Sequence, residues 1–498
     1  MILGIDLGTT YSVAAFMDEE RNPQVIQNNE GNRTTPSVVL FDTEDKIVVG
    51  DVAKDNSAIR PEDVVAGVKN HMGEKITIKK VGEKEYTPEM ISSLIIRKVV
   101  QDAERAVGEP ISEVVITVPA YFSVAQRQAT IDAARIAGVA ALGTINEPTA
   151  AALCFANQNN IENQRVLVYD LGGGTFDVTI LDVKEKNNIE VMGTAGLSAA
   201  GGRFFDIAIV DYVCEYLEDT YDIDLQDEEY MDDYQEVMIK AEKVKIQLSN
   251  VEKASIPIKI GKIKDNIEIT RADFEQMIKP TYEKTERKMK EALKMAKLEP
   301  SEIDKVLLVG GSSRIPYVVE RVQQFVGKEP SREVNPAEAV AIGAAIHAET
   351  IKKENNSMKF TDVCSHSIGV VVINPKTGEE ENEKIILRNS KLPAEAKQRF
   401  RTMGARQKKI ELQLTEGEFK EITDVTIIGT LEIELPPNLK ENELIELTIS
   451  LDTKQLIHIH MELPESGFIQ ECQLKRNINL EEEEVENMTG IVRDIDIC

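Results

Sequence analysis

Hydrophobic and polar positions along the chain fall into two textures. Up to about residue 348, short apolar runs alternate with stretches of helical period. "MILGI", "RVLVY", "SEVVITVPAYF" and "DKVLLVGGSSR" are Val- and Ile-rich and run into turn residues, the mark of buried strands. Between two of them, residues 123–138 ("SVAQRQATIDAARIAG") predict a helix with Ser123 as N-cap and Gly138 as its stop. Strand and helix alternation on this scale predicts an α/β domain over residues 1–355, with sheets covered on both faces. At 348–360 ("AETIKKENNSMKF") the period is lost, and a linker is placed at 356–364. From 365 to 476 the pattern has period two. In "LIELTISLD", Ile445, Leu447, Ile449 and Leu451 alternate with Glu446, Thr448 and Ser450, so an antiparallel β domain with one wet face is expected. Residues 477–498 read as one short acidic helix with Asn479 as its N-cap.

The period-two run "LIHIHMEL" puts His458 and His460 on one strand face, opposite Ile457, Ile459 and Met461. Two imidazoles with no third ligand nearby make a poor zinc site, and a wet strand face is the expectation.

Two of the apolar runs end alike. Residues 5–10 read "IDLGTT" and residues 169–177 read "YDLGGGTFD". Each has an aspartate at a strand end, then glycines that let backbone N–H groups approach a ligand with no Cβ in the way. Successive amides at such a turn form a nest for phosphate. One copy is weak; a matched pair predicts a duplicated scaffold whose halves face one ligand. Asp6, Asp170 and Asp177 beside a phosphate chain would repel it unless a hard cation intervened, and hydrated Mg²⁺ fits. A third glycine loop, "LLVGGSSRIP", follows a strand and offers Gly310, Gly311 and Arg314 to a base or ribose.

Composition narrows the class. The 498 residues exceed one core, so two or three domains are expected. No apolar run approaches a membrane span. Met1 leads straight into the first strand without a signal segment, and the five scattered cysteines form no C-x-x-C pair; the expectation is a cytoplasmic protein with reduced thiols. The net charge of −28 argues against a nucleic-acid surface and fits a soluble monomer.

"IDLGTT", "ITVPAYF", "INEPTAAAL", "YDLGGGTFD", "LVGGSSRIP" and "NPAEAVAIGAA" occur in the order and spacing of the DnaK-type seventy-kilodalton heat-shock chaperones, and the chain resembles that family over nearly its whole length. The resemblance implies an actin-like ATPase domain of duplicated halves around a nucleotide cleft, then an antiparallel β-sandwich that binds peptide. It implies ATP or ADP with Mg²⁺ and K⁺, unfolded or extended hydrophobic polypeptides, a J-domain co-chaperone, a nucleotide exchange factor and a role in stress. Asp6, Asp170 and Asp177 would surround the metal. Lys69 and Thr175 would reach the γ-phosphate, and Glu147 and Asp177 would orient the attacking water. Gly8, Thr9, Thr10, Tyr11, Gly172, Gly173, Gly174, Gly201 and Gly202 would line the phosphates. Glu242, Lys245, Ser249, Gly310, Gly311, Ser312 and Arg314 would hold adenosine. Pro119, Arg127 and Asp362 would relay nucleotide state. Val370, Val372, Ile373, Phe400, Met403, Ile410 and Leu412 would line a peptide groove, where alternating apolar side chains between exposed backbone groups suit an extended chain.

The sequence also departs from that pattern. Residues 477–498 hold only the first turns of a helical lid, as in the short, HscC-like branch, so rapid peptide exchange is expected. The linker "MKFTDV" dilutes the usual leucine run, which predicts weaker docking. Gly143 stands where the family docks J-domain helpers with an arginine, Arg203 replaces a glutamate near the phosphates, and Ala337 replaces an aspartate of the adenosine loop. Other readings on this fold are a small-molecule kinase, an actin-type scaffold, or a relative that binds ATP without cycling.

Overall fold

Ile2–Asp6 runs antiparallel to Tyr11–Met17 on one side and parallel to Glu113–Val118 on the other. Gln164–Leu171 repeats the arrangement, antiparallel to Phe176–Glu185 and parallel to Lys305–Val309. Two sheets therefore open on the same hairpin with the same parallel third partner, the duplication that the twin loops predict. Ala140–Asn146 extends the first sheet beyond Glu113–Val118, and Asn188–Leu197 extends the second beyond Phe176–Glu185. The computed structural model describes the chain except residues 160–162, 186–187, 332–334, 353–358, 375, 403–406, 438, 453–455 and 474–479.

One apolar cluster joins the sheets through two Ala-rich helices, Glu147–Asn159 and Ala339–Lys352. Small side chains are needed because backbones nearly touch there. A Cβ on Gly343 would lie 1.7 Å from the Ala150 carbonyl oxygen, and one on Gly4 would lie 2.1 Å from the Ala345 nitrogen. Pro88–Val107 and Val124–Ile136 cover the outer face of the first sheet. The second of these has a capping box between Ser123 and Gln126, and Gly138 follows its end with φ +88°, as the sequence predicts. Gly202–Tyr221, Met231–Leu248 and Arg271–Ala296 cover the second sheet. No helix among the described residues is long and apolar enough to cross a membrane.

The C-terminal β part is two four-stranded antiparallel sheets over one shared core. One sheet runs Glu380–Ile386, Ile368–Ile373, Lys409–Glu416, Thr426–Glu434; the other runs Ala394–Arg401, Leu444–Leu451, Ile457–Leu463, Phe468–Gln473. His458 and His460 alternate with buried Ile457, Ile459 and Met461 on the wet face, and among the described residues no metal-binding cluster forms.

The linker segment is docked: Lys359–Thr361 adds as a parallel strand beside Asn188–Leu197, with Phe360 packed on the apolar cluster and Val363 1% exposed. A backbone ladder plus two apolar anchors replaces the leucine run. The acidic helix, Glu482–Arg493, does not accompany the β part. It lies against Pro88–Val107 and Val124–Ile136, and Asp496–Ile497 pairs with Lys46–Val49. The reason is an apolar stripe: Val485, Val492, Ile495 and Ile497 are buried in the core of the first half. Arg97 donates to the carbonyls of Val492 and Arg493, at the end of the helix, and Arg135 pairs with Glu482 at its start. Glu481 serves as the N-cap, and Asn479 lies outside the described residues.

Gly343→Ala should lower stability by about 2 kcal/mol or more, although alanine is the better helix former by about 1 kcal/mol, since the added methyl meets backbone; thermal unfolding measures it. Val492→Asp should free residues 482–497, read as faster amide exchange there with the rest of the first half still protected.

Candidate active site

Asp170 and Asp177 are cross-strand partners at the turn end of their hairpin, and Asp6 ends the equivalent strand of the first half. The loops after Asp6 and Asp170 face each other. A Cβ on Gly173 would strike the Thr10 hydroxyl at 1.8 Å, and one on Gly174 would meet Thr9 and Asn70 at 2.9 Å. Glycine is required here because the two nests close on each other. Thr9 and Thr10 thus meet Gly173 and Gly174 across one crevice, while Gly8 and Gly172 close their own turns, Gly8 against the Tyr11 carbonyl and Gly172 N–H on the Thr175 carbonyl at 3.0 Å. Gly202 N–H donates to the Gly172 carbonyl at 3.0 Å and Arg203 N–H to that of Gly173 at 2.7 Å, so Gly201 and Gly202 brace the second loop.

The electrostatics are unbalanced. Lys69 and Glu147 form a buried ion pair, at 5% and 7% exposure, so Lys69 is no solvated surface charge. Around that pair lie Asp6, Asp170 and Asp177, giving four carboxylates and one ammonium. Burial, then repulsion from Glu147, holds the Asp6 carboxyl up at about 7, despite attraction to Lys69 and a 3.0 Å bond from the Thr117 hydroxyl. The same two causes raise Asp170 and Asp177 well above the usual carboxylate range. Asp177 Oδ2 accepts from Ala120 N–H at 3.1 Å, while its Oδ1 is buried without a hydrogen-bond partner. Such a site fits a hydrated divalent cation: its donors are all oxygen, and one carboxylate oxygen is orphaned. Among the described residues no three His, Cys, Asp or Glu side chains converge as direct ligands.

The expected adenosine residues gather nearby. Lys245 Nζ is 2.8 Å from Asp206 and donates to the Gly202 carbonyl at 3.1 Å; Ser312 donates to the Gly172 carbonyl at 2.9 Å. Gly310, at φ +78°, presses against Asp170 and Leu171. Ser249 turns its hydroxyl to the Lys245 carbonyl, and Arg314 donates to Asn335. Glu242 pairs with Lys54 at 2.8 Å, and Lys54 also donates to the Tyr11 hydroxyl at 2.8 Å, a tie between the two halves. Arg203 is exposed and aims its guanidinium at Gly67, two residues before Lys69.

Beyond the crevice, Pro119 ends the strand Glu113–Val118, and Arg127 is buried rather than solvated. Arg127 donates to the Phe122 and Ala120 carbonyls and to Asn146 Oδ1 at 2.7 Å; Asn146 in turn donates to Asp362 at 2.7 Å. Sequence reasoning missed Asn146, although it adjoins Glu147 in "INEPT". It also missed contacts to the β part: Arg388 with Glu291 at 2.6 Å, Lys391 with Glu190, and Glu416 accepting from Val124 N–H, a residue 292 positions earlier. Nothing local marks such partners. Gly143 lies on Ala140–Asn146 with open space where a side chain would stand.

The expected groove residues divide. Val370 (1% exposed) and Leu412 (9%) sit within the sandwich core, so Val370 is a core residue in this structure. Val372, Phe400 and Ile410 pack at its edge, Ile373 is exposed, and Met403 lies outside the described residues.

A family model described as Hsp70 protein matches residues 2–494, spanning both glycine loops and both sheets of the β part.

Charge counting orders two variants. Lys69→Met leaves four buried carboxylates unrelieved and should cost on the order of 3 kcal/mol in thermal unfolding without nucleotide or metal. Glu147→Gln removes a repelling charge along with the pair and should cost clearly less.

Proposed function

The chain belongs to the Hsp70 family, and on that premise we propose an ATP-driven chaperone whose nucleotide state sets the grip of the β part on extended hydrophobic polypeptide. Members of the family hydrolyse ATP, bind ATP or ADP with Mg²⁺, and engage unfolded polypeptides and co-chaperones. The observation that carries the reading for this chain is the pair of glycine loops meeting over an excess of buried carboxylate.

The residues divide the work as phosphoryl transfer to water demands, where positioning and charge stabilisation supply most of the acceleration. Backbone N–H groups of residues 8–10 and of Gly173 and Gly174 cradle the β- and γ-phosphates, while that of Gly172 holds the turn closed on the Thr175 carbonyl. Lys69 neutralises charge on the γ-phosphate, and Thr175 donates to it. Glu147 and Asp177 accept hydrogen bonds from the attacking water. Asp6, Asp170 and Asp177 hold the hydrated Mg²⁺, which when bound offsets phosphate and carboxylate charge together; K⁺ is a further cation for the same cluster. Glu242, Lys245, Ser249, Gly310, Gly311, Ser312 and Arg314 form the adenosine side.

Coupling rests on the chain Arg127–Asn146–Asp362, which ties the linker strand to the edge of the crevice. By linkage, peptide binding then alters nucleotide affinity or turnover as nucleotide alters peptide affinity. Val372, Ile373, Phe400 and Ile410 are the surface part of the peptide site, with Val370 and Leu412 beneath. A kinase on this scaffold would leave the β part without a role.

Steady-state ATP hydrolysis with and without an unstructured hydrophobic peptide tests the reading. Stimulation supports coupling, indifference to peptide leaves an uncoupled ATPase, and phosphate transferred to a sugar overturns both. Thr175→Ala should keep ATP affinity within about three-fold and slow turnover ten-fold or more, the loss of a charge-assisted bond; unchanged turnover removes Thr175 from the site.

A further inference from the structure

Residues 120–121 join the strand Glu113–Val118 to the helix Val124–Ile136, and each of the two is used on both sides. Toward the carboxylates, Ala120 N–H donates to Asp177 Oδ2, and the Tyr121 ring and Asp177 Oδ1 crowd the same stretch of backbone: a Cβ on Gly196 would lie 2.5 Å from the one and 2.6 Å from the other. Toward the β part, the Ala120 carbonyl accepts from Ser365 Oγ, and the Tyr121 carbonyl accepts from His366 Nε2 at 2.6 Å. A carbonyl can only accept, so the imidazole carries a proton on Nε2. Ala120 is 1% and Ser365 4% exposed, which leaves water little room to compete for these groups.

We propose that Ser365 and His366 are positioning residues for ATP hydrolysis, acting through residues 120–121 on Asp177. The proposal rests on the reading of the crevice as an ATPase site and extends it to two side chains contributed from beyond the linker strand. Bonds on both sides of one residue fix its φ and ψ, and hydrogen bonds in series polarise one another. Asp177 Oδ1 has no protein partner, so the Ala120 bond to Oδ2 decides where Oδ1 points. Slack in that link moves a water-orienting carboxylate, and a shift of about 1 Å costs up to ~100-fold in rate.

Arg127 also donates to the Ala120 carbonyl, at 3.0 Å, but it belongs to the same half of the molecule and stays there wherever the β part goes. Ser365 and His366 follow directly on the linker, so their bonds exist only while residues 363–368 are docked. The bridge therefore reports docking to Asp177, Ser365 through Ala120 and His366 through Tyr121.

The test uses the full chain carrying Ser365→Ala, His366→Leu or both, with Ser365→Thr, which keeps a hydroxyl, as the rescue. Each single variant should lower kcat about five-fold, the loss of one buried neutral hydrogen bond, with KM for ATP within two-fold, and Ser365→Thr should restore kcat. Amide exchange at 120–122 in the nucleotide-free double variant should quicken at least ten-fold. Unchanged exchange and kcat overturn the inference while leaving the proposed function standing, as does a rise in KM alone. A wild-type chain that turns over no ATP overturns the proposed function and this assignment together, whatever the exchange shows.

Discussion

Four carboxylates share a buried crevice with one ammonium, and most of the surrounding structure answers that imbalance. Isolated ionised carboxylates are costly to bury; they are neutralised, paired or held against a cation. Here burial and repulsion among the carboxylates push Asp6, Asp170 and Asp177 up together, and Lys69 pulls all three the other way, helped by Thr117 at Asp6 and by Ala120 N–H and Arg127 at Asp177. No stability is gained by such a cluster. It persists because the strands that carry it are fixed by their own cores: Leu3 and Ile5 lead into Asp6, Val168 and Tyr169 into Asp170, all fully buried.

The same constraint explains the glycines. Two loops can close over a charged ligand only if neither carries side chains into the gap, and Gly173 and Gly174 leave no room for even a Cβ against Thr10, Thr9 and Asn70. Farther from the crevice the requirement recurs for another reason. Gly343 and Gly4 let the two Ala-rich helices and the first strand approach to backbone contact, so the halves share one apolar cluster and move only by repacking it.

Around this centre the C-terminal segments are arranged by hydrogen bonds and apolar burial in different proportions. The linker strand is held by a ladder to Asn188–Leu197 and by Asn146 on Asp362. The β part touches both halves of the α/β domain through polar atoms: Glu416, Ser365 and His366 on the first, Arg388 and Lys391 on the second. Interfaces so polar release more readily than apolar ones. The segment from Glu482 to Ile497 is the opposite case, since it buries four apolar side chains in the core of the first half.

Sequence by itself determined the α/β alternation, the duplication, the period-two β part and the identity of the acids and glycines at the two turns. These are local signals: an apolar run with a turn, or a motif of a few residues, carries its own geometry wherever it is placed. The resting place of the acidic helix was not legible, because its stripe of Val485 and Val492 shows only that something must cover it. The burial of Arg127, the pairing of Lys54 with Glu242 across the crevice, and the bridge from Ser365 through Ala120 to Asp177 were equally hidden. Their partners lie far apart in the chain, Ser365 and Ala120 by 245 positions, and only the closing of the fold brings them within hydrogen-bond reach. Pairing across such separations depends on which faces the cores bury together, a property of the whole packing and of no single stretch of residues.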